Sequence, residues 1–91
     1  MSVTVRIPGP LRRFTNGMEK VQAQEGNLAK LIADLDSQYP GMKERLLDDQ
    51  GAMRYFVNVY LNGEDVRFLQ GLDTAIKTGD EVSIVPAVAG G

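Results

Sequence analysis

Apolar and polar residues alternate at the start of the chain, where single polar residues separate Val3, Val5 and Ile7. A period of two is typical of a strand with one buried face, so a strand is predicted here. A second short strand is predicted over residues 18–24, with inward positions again two apart. Residues 11–17 are predicted as a loop that tucks its apolar side chains under the domain, and the two strands as a hairpin.

The next segment has the spacing of a helix. Asn27 is a good N-cap, because its side-chain oxygen can accept a hydrogen bond from a free backbone N–H of the first turn. Pro40-Gly41 is predicted to end the helix, since the residue before a proline is pushed out of the α region. A further helical turn or two is predicted over residues 42–47. The apolar stripe of the main helix consists of Leu28, Leu31, Ile32, Leu35 and Tyr39.

The second half of the chain returns to strand patterns. Residues 56–61 predict a strong strand with apolar side chains on one face. Asn62-Gly63 follows as a hairpin turn, because both residues tolerate positive φ. Residues 66–68 are predicted as the return strand. The last strand is predicted over residues 81–86, with Val82 and Ile84 facing inward.

A helix and a sheet with one apolar face each must bury those faces against each other. We therefore predict an α+β fold, with a mixed sheet of four or five strands packed on one main helix. If the first and last strands pair in parallel, this is the β-grasp fold. The predicted division is a β-grasp domain over residues 1–86 and a flexible C-terminal Gly-Gly tail over residues 87–91.

The composition excludes many kinds of site. The 91 residues include no cysteine and no histidine, which removes thiol nucleophiles, disulfides, Cys-ligated zinc and the Ser-His or Cys-His pairs of hydrolases. The acidic pairs stand in turns or on solvated helical positions, so no metal site is expected. A net charge of −2 argues against a nucleic-acid partner. No membrane span or signal peptide is visible, so a cytoplasmic protein is expected.

The most distinctive chemical feature is the pair of glycines at the end of the sequence, Gly90 and Gly91. Without Cβ atoms, both can lie extended in a narrow tunnel. The Gly91 carboxylate could then reach a reaction centre in another protein. The chain is therefore predicted to act as a protein co-substrate rather than as an enzyme.

The chain resembles the ubiquitin-like sulfur carriers over essentially its whole length. The resemblance is carried by residues 65–68 (DVRF), 71–82 (GLDTAIKTGDEV) and 86–91 (PAVAGG). That group includes the small subunit of molybdopterin synthase, the thiamin sulfur carrier and the thiocarboxylate-dependent carrier of cysteine biosynthesis. Residues 57–68 (VNVYLNGEDVRF) and the AVAGG ending most resemble the cysteine-biosynthesis carrier.

The resemblance implies a reaction cycle in which every cofactor belongs to a partner. An E1-like adenylyltransferase and sulfurtransferase would adenylate Gly91 with ATP and convert it to a thiocarboxylate. A PLP-dependent cysteine synthase would take the sulfur, and a metalloprotease would release cysteine. The main alternative is the small subunit of molybdopterin synthase, whose large subunit holds a pterin precursor. Two further alternatives are a ubiquitin-like modifier of lysines and an interaction domain with an inert C-terminus.

A docking surface is expected beside the last strand, because the tail needs a high effective concentration at the partner's active site. Related carriers use an apolar patch on the exposed sheet face. Val88 is expected to anchor the tail inside the partner, and the chain alone is expected to be a monomer. By strand parity the candidates here are Phe56, Tyr60, Phe68 and Val85, with Leu69 as an alternative to Phe68. Arg6 and Arg67 are expected at the border.

Overall fold

The computed structural model describes residues 2–86, and its first two strands form the predicted hairpin. Strand β1 (Ser2–Arg6) pairs antiparallel with β2 (Lys20–Gln24). In both strands the apolar positions are buried and their neighbours point outward, as period-two alternation requires. The pairing aligns Val3 with Ala23 and Val5 with Val21, which gives the hairpin one apolar face.

The segment between these strands differs from the predicted loop. Residues Gly9–Thr15 form a 3-10 helix. Pro10 stands at its start, where a missing backbone N–H costs no hydrogen bond. Leu11 and Phe14 pack against the core, as predicted. Thr15 is fully buried, and its hydroxyl lies 2.8 Å from the carbonyl oxygen of Met18.

The main helix is present with the predicted cap. Strand β3 (Gly26–Asn27) leads directly into α1 (Leu28–Gln38). The Asn27 side chain accepts a hydrogen bond of 2.8 Å from the backbone N–H of Lys30. The helix ends before Pro40-Gly41, and Gly41 has a φ of 100°, which a residue with a side chain rarely adopts. A short helix, α2 (Met42–Leu46), follows and buries both of its end residues.

The second hairpin corrects the predicted position of the return strand. Strand β4 (Val57–Leu61) pairs with β5 (Glu64–Asp65), so the return strand comes before residues 66–68. Residues Val66–Phe68 form a 3-10 helix instead. The physical reason is Asp65, whose carboxylate accepts a 2.9 Å hydrogen bond from the backbone N–H of Arg67 and caps the turn.

Strand β6 (Ala75–Ile76) pairs antiparallel with β3, forming a two-stranded sheet that the sequence pattern did not predict. A 3-10 helix over Gly71–Asp73 precedes it. The pairing brings the residues before α1 beside the residues before the last strand. It therefore ties the start of the helix to the approach of that strand.

The last strand, β7 (Glu81–Pro86), lies in the middle of a five-stranded sheet of order β2-β1-β7-β4-β5. It runs parallel to β1 and antiparallel to β4. The parallel pairing of the first and last strands confirms the predicted β-grasp topology. One core fills the space between the sheet and the helices, with Leu31 and Leu35 of α1 packed with Val59 and Ile84 of the sheet.

The predicted tail, residues 87–91, lies outside the described residues, and the division at residue 86 stays a prediction. Within residues 2–86, no helix combines the length and the apolar character that crossing a membrane requires.

Candidate functional site

The candidate site begins where β7 delivers the chain toward the terminal glycines. Pro86 is the last residue of β7 and pairs with Val57 at the start of β4. Gly90, Gly91 and Val88 lie outside the described residues, so their predicted roles stay predictions. The position from which the tail departs is well defined, because β7 is hydrogen-bonded to a strand on each side.

A network of side-chain hydrogen bonds fixes the start of β7. The Asn62 amide nitrogen donates to an Asp80 carboxylate oxygen at 3.1 Å, and the Asn62 side-chain oxygen accepts from the backbone N–H of Glu81 at 3.0 Å. The backbone N–H of Lys77 donates to the second Asp80 oxygen at 2.8 Å. The hydrogen bond from Lys77 is the main reason that the pKa of Asp80 lies below its ordinary value, and the hydrogen bond from Asn62 lowers the pKa further.

A second carboxylate ties the same turn to the beginning of the two-stranded sheet. The Thr78 hydroxyl donates to Glu25 at 2.9 Å, and the Thr78 backbone N–H donates to the same oxygen at 3.2 Å. Both hydrogen bonds stabilise the charged form and lower the pKa of Glu25. Asp80, in the Gly-Asp-Glu-Val segment of residues 79–82, and Glu25 therefore act in positioning β7.

Two of the four predicted docking residues within the described chain share the outer face of the sheet. Val82 and Ile84 are buried on the inner face, so Ser83 and Val85 point to the other side. Val85 stands opposite Asn58, and Tyr60 stands opposite Ser83 on β4. Val85 is 42% exposed. The structure thus places Tyr60 and Val85 on one face, with polar residues between them.

Phe68 and Phe56 lie at the borders of that face rather than on it. Phe68 stands on the 3-10 helix after β5 and is 88% exposed. Phe56 precedes β4, packs edge-on against Tyr55 with ring centroids 5.4 Å apart, and lines an open groove together with Pro86. The predicted single apolar patch is therefore divided into separate apolar positions around a polar centre.

Arg67 and Arg6 border the face, as predicted. The Arg67 guanidinium donates to the Asn58 side-chain oxygen at 2.7 Å and to the Arg54 carbonyl oxygen at 3.0 Å. Arg6 lies 3.6 Å from the Glu19 carboxylate and 3.8 Å from that of Glu81. Both arginines therefore place a positive charge at the edge of the surface that surrounds Val85.

Sequence reasoning missed one exposed aromatic residue near this face, Tyr55, which is 89% exposed. Tyr55 falls just before the alternating pattern of β4, so strand parity gave no signal for it. Its position beside Phe56 follows from the turn at residues 54–57, where the Val57 N–H donates to the Arg54 carbonyl oxygen at 3.0 Å.

Within residues 2–86, no cluster of three acidic side chains is arranged to hold a metal ion. The two carboxylates with lowered pKa values, Glu25 and Asp80, accept hydrogen bonds from the chain itself.

Comparison with known proteins decides the family. The model of the ThiS family matches residues 5–91. The chain belongs to the ThiS family. The sulfur carrier protein CysO of Mycobacterium tuberculosis (strain ATCC 25618 / H37Rv) is 52% identical to this ThiS-family chain over 93 residues, covering 100% of both sequences.

A solved structure shows the same fold in a relative. The crystal structure of the Amycolatopsis orientalis BexX/CysO complex contains a chain that matches with a TM-score of 0.92 and 45% identity. The match covers 98% of this ThiS-family chain and 99% of the other. These similarities confirm two predictions: the β-grasp fold and the function of a ubiquitin-like sulfur carrier.

A more distant relative bears on the pathway. The molybdopterin synthase sulfur carrier subunit of Aspergillus niger (strain ATCC MYA-4892 / CBS 513.88 / FGSC A1513) is 36% identical over 88 residues. The match covers 97% of this ThiS-family chain and 75% of that protein.

Proposed function

We propose that this sulfur carrier holds its sulfur as a thiocarboxylate on Gly91 and supplies cysteine biosynthesis. The observation that carries the proposal is the full-length similarity to a CysO sulfur carrier, at 52% identity over 100% of both chains. The fold agrees with this role, because the central strand β7 leads toward the glycines from a rigid sheet. A rigid base gives the tail a fixed origin when the domain is docked.

The chemistry proceeds in two displacements. A Gly91 carboxylate oxygen attacks the α-phosphate of ATP on an E1-like activating enzyme, and pyrophosphate leaves. Sulfide then attacks the acyl carbon, the bond to AMP breaks, and the thiocarboxylate forms. The adenylate is needed because a carboxylate has no good leaving group. The thiocarboxylate sulfur is then a nucleophile for the acceptor enzyme.

The chain positions the Gly91 carboxylate, and its partner enzymes bind the cofactors. ATP is bound by the activating enzyme, and pyridoxal phosphate by the cysteine synthase that accepts the sulfur. A metalloprotease then frees the new cysteine from the carrier. This chain acts as a co-substrate, and a cofactor site of its own is not part of the proposal.

The docking surface of this proposal is the outer sheet face around Val85. Tyr60 shares the face, Phe56 and Phe68 border it, and Val88 would enter the partner with the tail. Exposed aromatic side chains are frequent anchors of protein interfaces. The polar residues between them fit a transient complex, in which the carrier must leave after each transfer.

The proposal is tested by the intact mass of the full chain after incubation with ATP, sulfide and the cognate activating enzyme. We expect a gain equal to the exchange of one oxygen for one sulfur. The matched control lacks Gly90 and Gly91, so its carboxylate is retracted by roughly 7 Å of extended chain. The control is expected to keep its fold and gain no sulfur. An unchanged full-length mass, with an enzyme that thiocarboxylates a related carrier in the same assay, would contradict the proposal.

Molybdopterin synthesis is the second candidate, because a molybdopterin synthase carrier subunit is 36% identical to this chain. The two candidates differ only in the acceptor. The thiocarboxylated chain is therefore offered in separate reactions to a PLP-dependent cysteine synthase and to a molybdopterin synthase large subunit. With the cysteine synthase, we expect the thiocarboxylate sulfur to attack the aminoacrylate on pyridoxal phosphate and to leave cysteine linked to Gly91, which is seen as a mass gain of the carrier. Sulfur transfer only to the pterin precursor, with return of the carrier to its carboxylate mass, would reverse the assignment.

A further inference from the structure

An open groove of about 440 Å³ lies beside the end of β7. Its apolar wall includes Pro10 and Leu11 of the first 3-10 helix and Phe56 before β4. Pro86, the last residue of β7, lines the same groove. The groove therefore adjoins the point from which the tail departs.

The rim of the groove is basic although the whole chain is acidic. Arg13, Arg45 and Arg54 line it, and Glu44 is its one carboxylate. This gives a local net charge of +2 at neutral pH, against −2 for the chain as a whole. Three like charges gathered around an apolar wall repel one another, which favours an anionic partner there.

These arginines contact an aromatic ring and a backbone oxygen rather than carboxylates. The guanidinium carbons of Arg13 and Arg45 lie 5.1 and 5.3 Å from the centre of the Phe14 ring, so one aromatic ring holds two cations. The Arg54 Nε–H donates to the Glu44 backbone carbonyl oxygen at 2.9 Å, not to a carboxylate. In the part of the chain that the structure describes, both ion pairs belong to Arg6.

We infer that this groove binds an acidic segment of the activating enzyme, with an apolar side chain against Phe56 and carboxylates facing the arginines. The inference rests on the proposed function, because an enzyme that receives Gly91 must approach the end of β7. Five residues separate Pro86 from the end of the sequence and reach at most about 18 Å. The enzyme surface around its active site therefore lies within reach of the groove.

The chemistry of the groove favours a peptide segment over an inorganic anion. Phe56, Leu11 and Pro10 offer apolar contact area that an inorganic anion could not use. Arginine side chains around an aromatic ring match carboxylates through their planar, multiple N–H donors. The combination of apolar wall and basic rim therefore selects a segment in which acidic and apolar side chains alternate.

The test is an NMR titration of the full ¹⁵N-labelled chain with a blocked pentapeptide in which glutamate alternates with leucine. We expect saturable amide shifts centred on Leu11, Arg45 and Val57. A peptide in which lysine replaces glutamate is expected to shift none of them. Shifts spread evenly over the surface, or equal shifts with both peptides, would overturn the inference.

Two charge reversals sharpen the titration. Arg45→Glu is expected to weaken binding of the acidic peptide by about tenfold, because it places a like charge against the ligand. Lys30→Glu changes the net charge equally on α1, away from the groove, and is expected to leave the affinity within about twofold. Equal weakening by both variants would reduce the effect to overall charge and contradict a specific site.

The remaining occupant to test is the tail of the chain itself. If the groove holds residues 87–91, deletion of these residues shifts the groove amides and strengthens peptide binding, which would overturn the inference. The mass measurement of sulfur transfer and the peptide titration fail separately. Sulfur gain without peptide binding rejects only the groove, and peptide binding without sulfur gain rejects only the proposed function.

Discussion

At the scale of single residues, several polar side chains determine where elements begin. Asn27 occupies the last position of β3 and caps α1 through its 2.8 Å hydrogen bond from Lys30 N–H. Asp65 performs the same task for the 3-10 helix over residues 66–68. Asp80 and Asn62 join the second hairpin to the start of β7. Such side chains set the boundaries that position the tail.

Asn27→Ala removes the cap of α1, and we expect it to lower the free energy of unfolding by about 1 kcal/mol. The reason is that the Lys30 N–H loses its acceptor at the helix terminus. Asn27→Asp keeps an acceptor oxygen and is the matched control. Urea denaturation of both variants measures the difference. Equal losses in the two variants would show that the cap does not account for the effect.

The lowered pKa of Asp80 predicts a dependence of stability on pH. Because the folded pKa lies below the unfolded value of about 3.9, the stabilisation is present above that pH and is lost as the pH falls through the folded pKa. Urea denaturation between about pH 7 and pH 3 should show Asp80→Asn losing less stability on acidification than the wild type.

The control for this comparison is Asp49→Asn, which removes the same charge from an exposed side chain. Its stability profile is expected to run parallel to that of the wild type. If Asp80→Asn and the wild type lose stability equally on acidification, the hydrogen bonds from Lys77 and Asn62 do not contribute as described.

The sequence predicted those residue roles that depend on near neighbours. The Asn27 cap could be predicted because donor and acceptor are three residues apart. The stacking of Arg13 and Arg45 on Phe14 could not, because Arg45 reaches Phe14 only through the packing of α2 beside the first 3-10 helix. The basic groove was missed for the same reason.

At the scale of elements, α1 contributes a large part of the apolar surface opposite the sheet. Leu28, Leu31, Ile32 and Leu35 are all buried, as their spacing predicted. The stripe was predictable because a helix with one apolar face repeats within its own sequence. Its position over the sheet depends on strand pairing, which is set by distant residues.

Leu31→Ala is expected to lower the free energy of unfolding by about 2–5 kcal/mol, through lost burial and the cavity left behind. Leu31 is 1% exposed, so the atoms that the substitution removes are all buried in the folded state. The control is Lys30→Ala on the exposed side of the helix, expected to stay within about 0.5 kcal/mol of the wild type. Comparable losses in both variants would contradict the assigned packing.

The element that sequence reasoning misplaced is the return strand after Asn62-Gly63. Residues 66–68 alternate apolar and polar side chains, which predicted a strand, and Val66 is indeed fully buried. The tight turn, however, starts β5 already at Glu64, and the Asp65 cap ends it after two residues. An apolar residue in a short segment shows burial without showing secondary structure.

At the scale of the whole molecule, the parallel pairing of β1 and β7 determines how the tail leaves the domain. Thr4 pairs with Glu81, and Arg6 with Ser83, which places the last strand between the first strand and β4. From the sequence this arrangement was a condition of the β-grasp prediction, because the pattern of each strand does not determine which strands are neighbours. The division of the docking surface was not predictable, because Phe56 and Phe68 lie outside the strands that parity describes.

Phe68→Ala is expected to reduce the affinity for the activating enzyme by fivefold or more, about 1 kcal/mol of binding free energy. Because Phe68 is 88% exposed, the free energy of unfolding should change by no more than about 0.5 kcal/mol. Isothermal titration calorimetry with the full chain measures the affinity. Met18→Ala, an exposed apolar residue in the loop before β2, is the control and should leave binding unchanged. Unchanged binding by Phe68→Ala would remove this residue from the docking surface.

The central claim is that the Gly91 carboxylate carries the sulfur, and fragmentation of the C-terminal peptide by tandem mass spectrometry tests it most directly. The full chain is first treated with ATP, sulfide and the cognate activating enzyme. The account predicts that the oxygen-to-sulfur mass difference is confined to fragments that contain Gly91. Sulfur found on any other residue, or none on Gly91 when the enzyme thiocarboxylates a related carrier in the same assay, would contradict it.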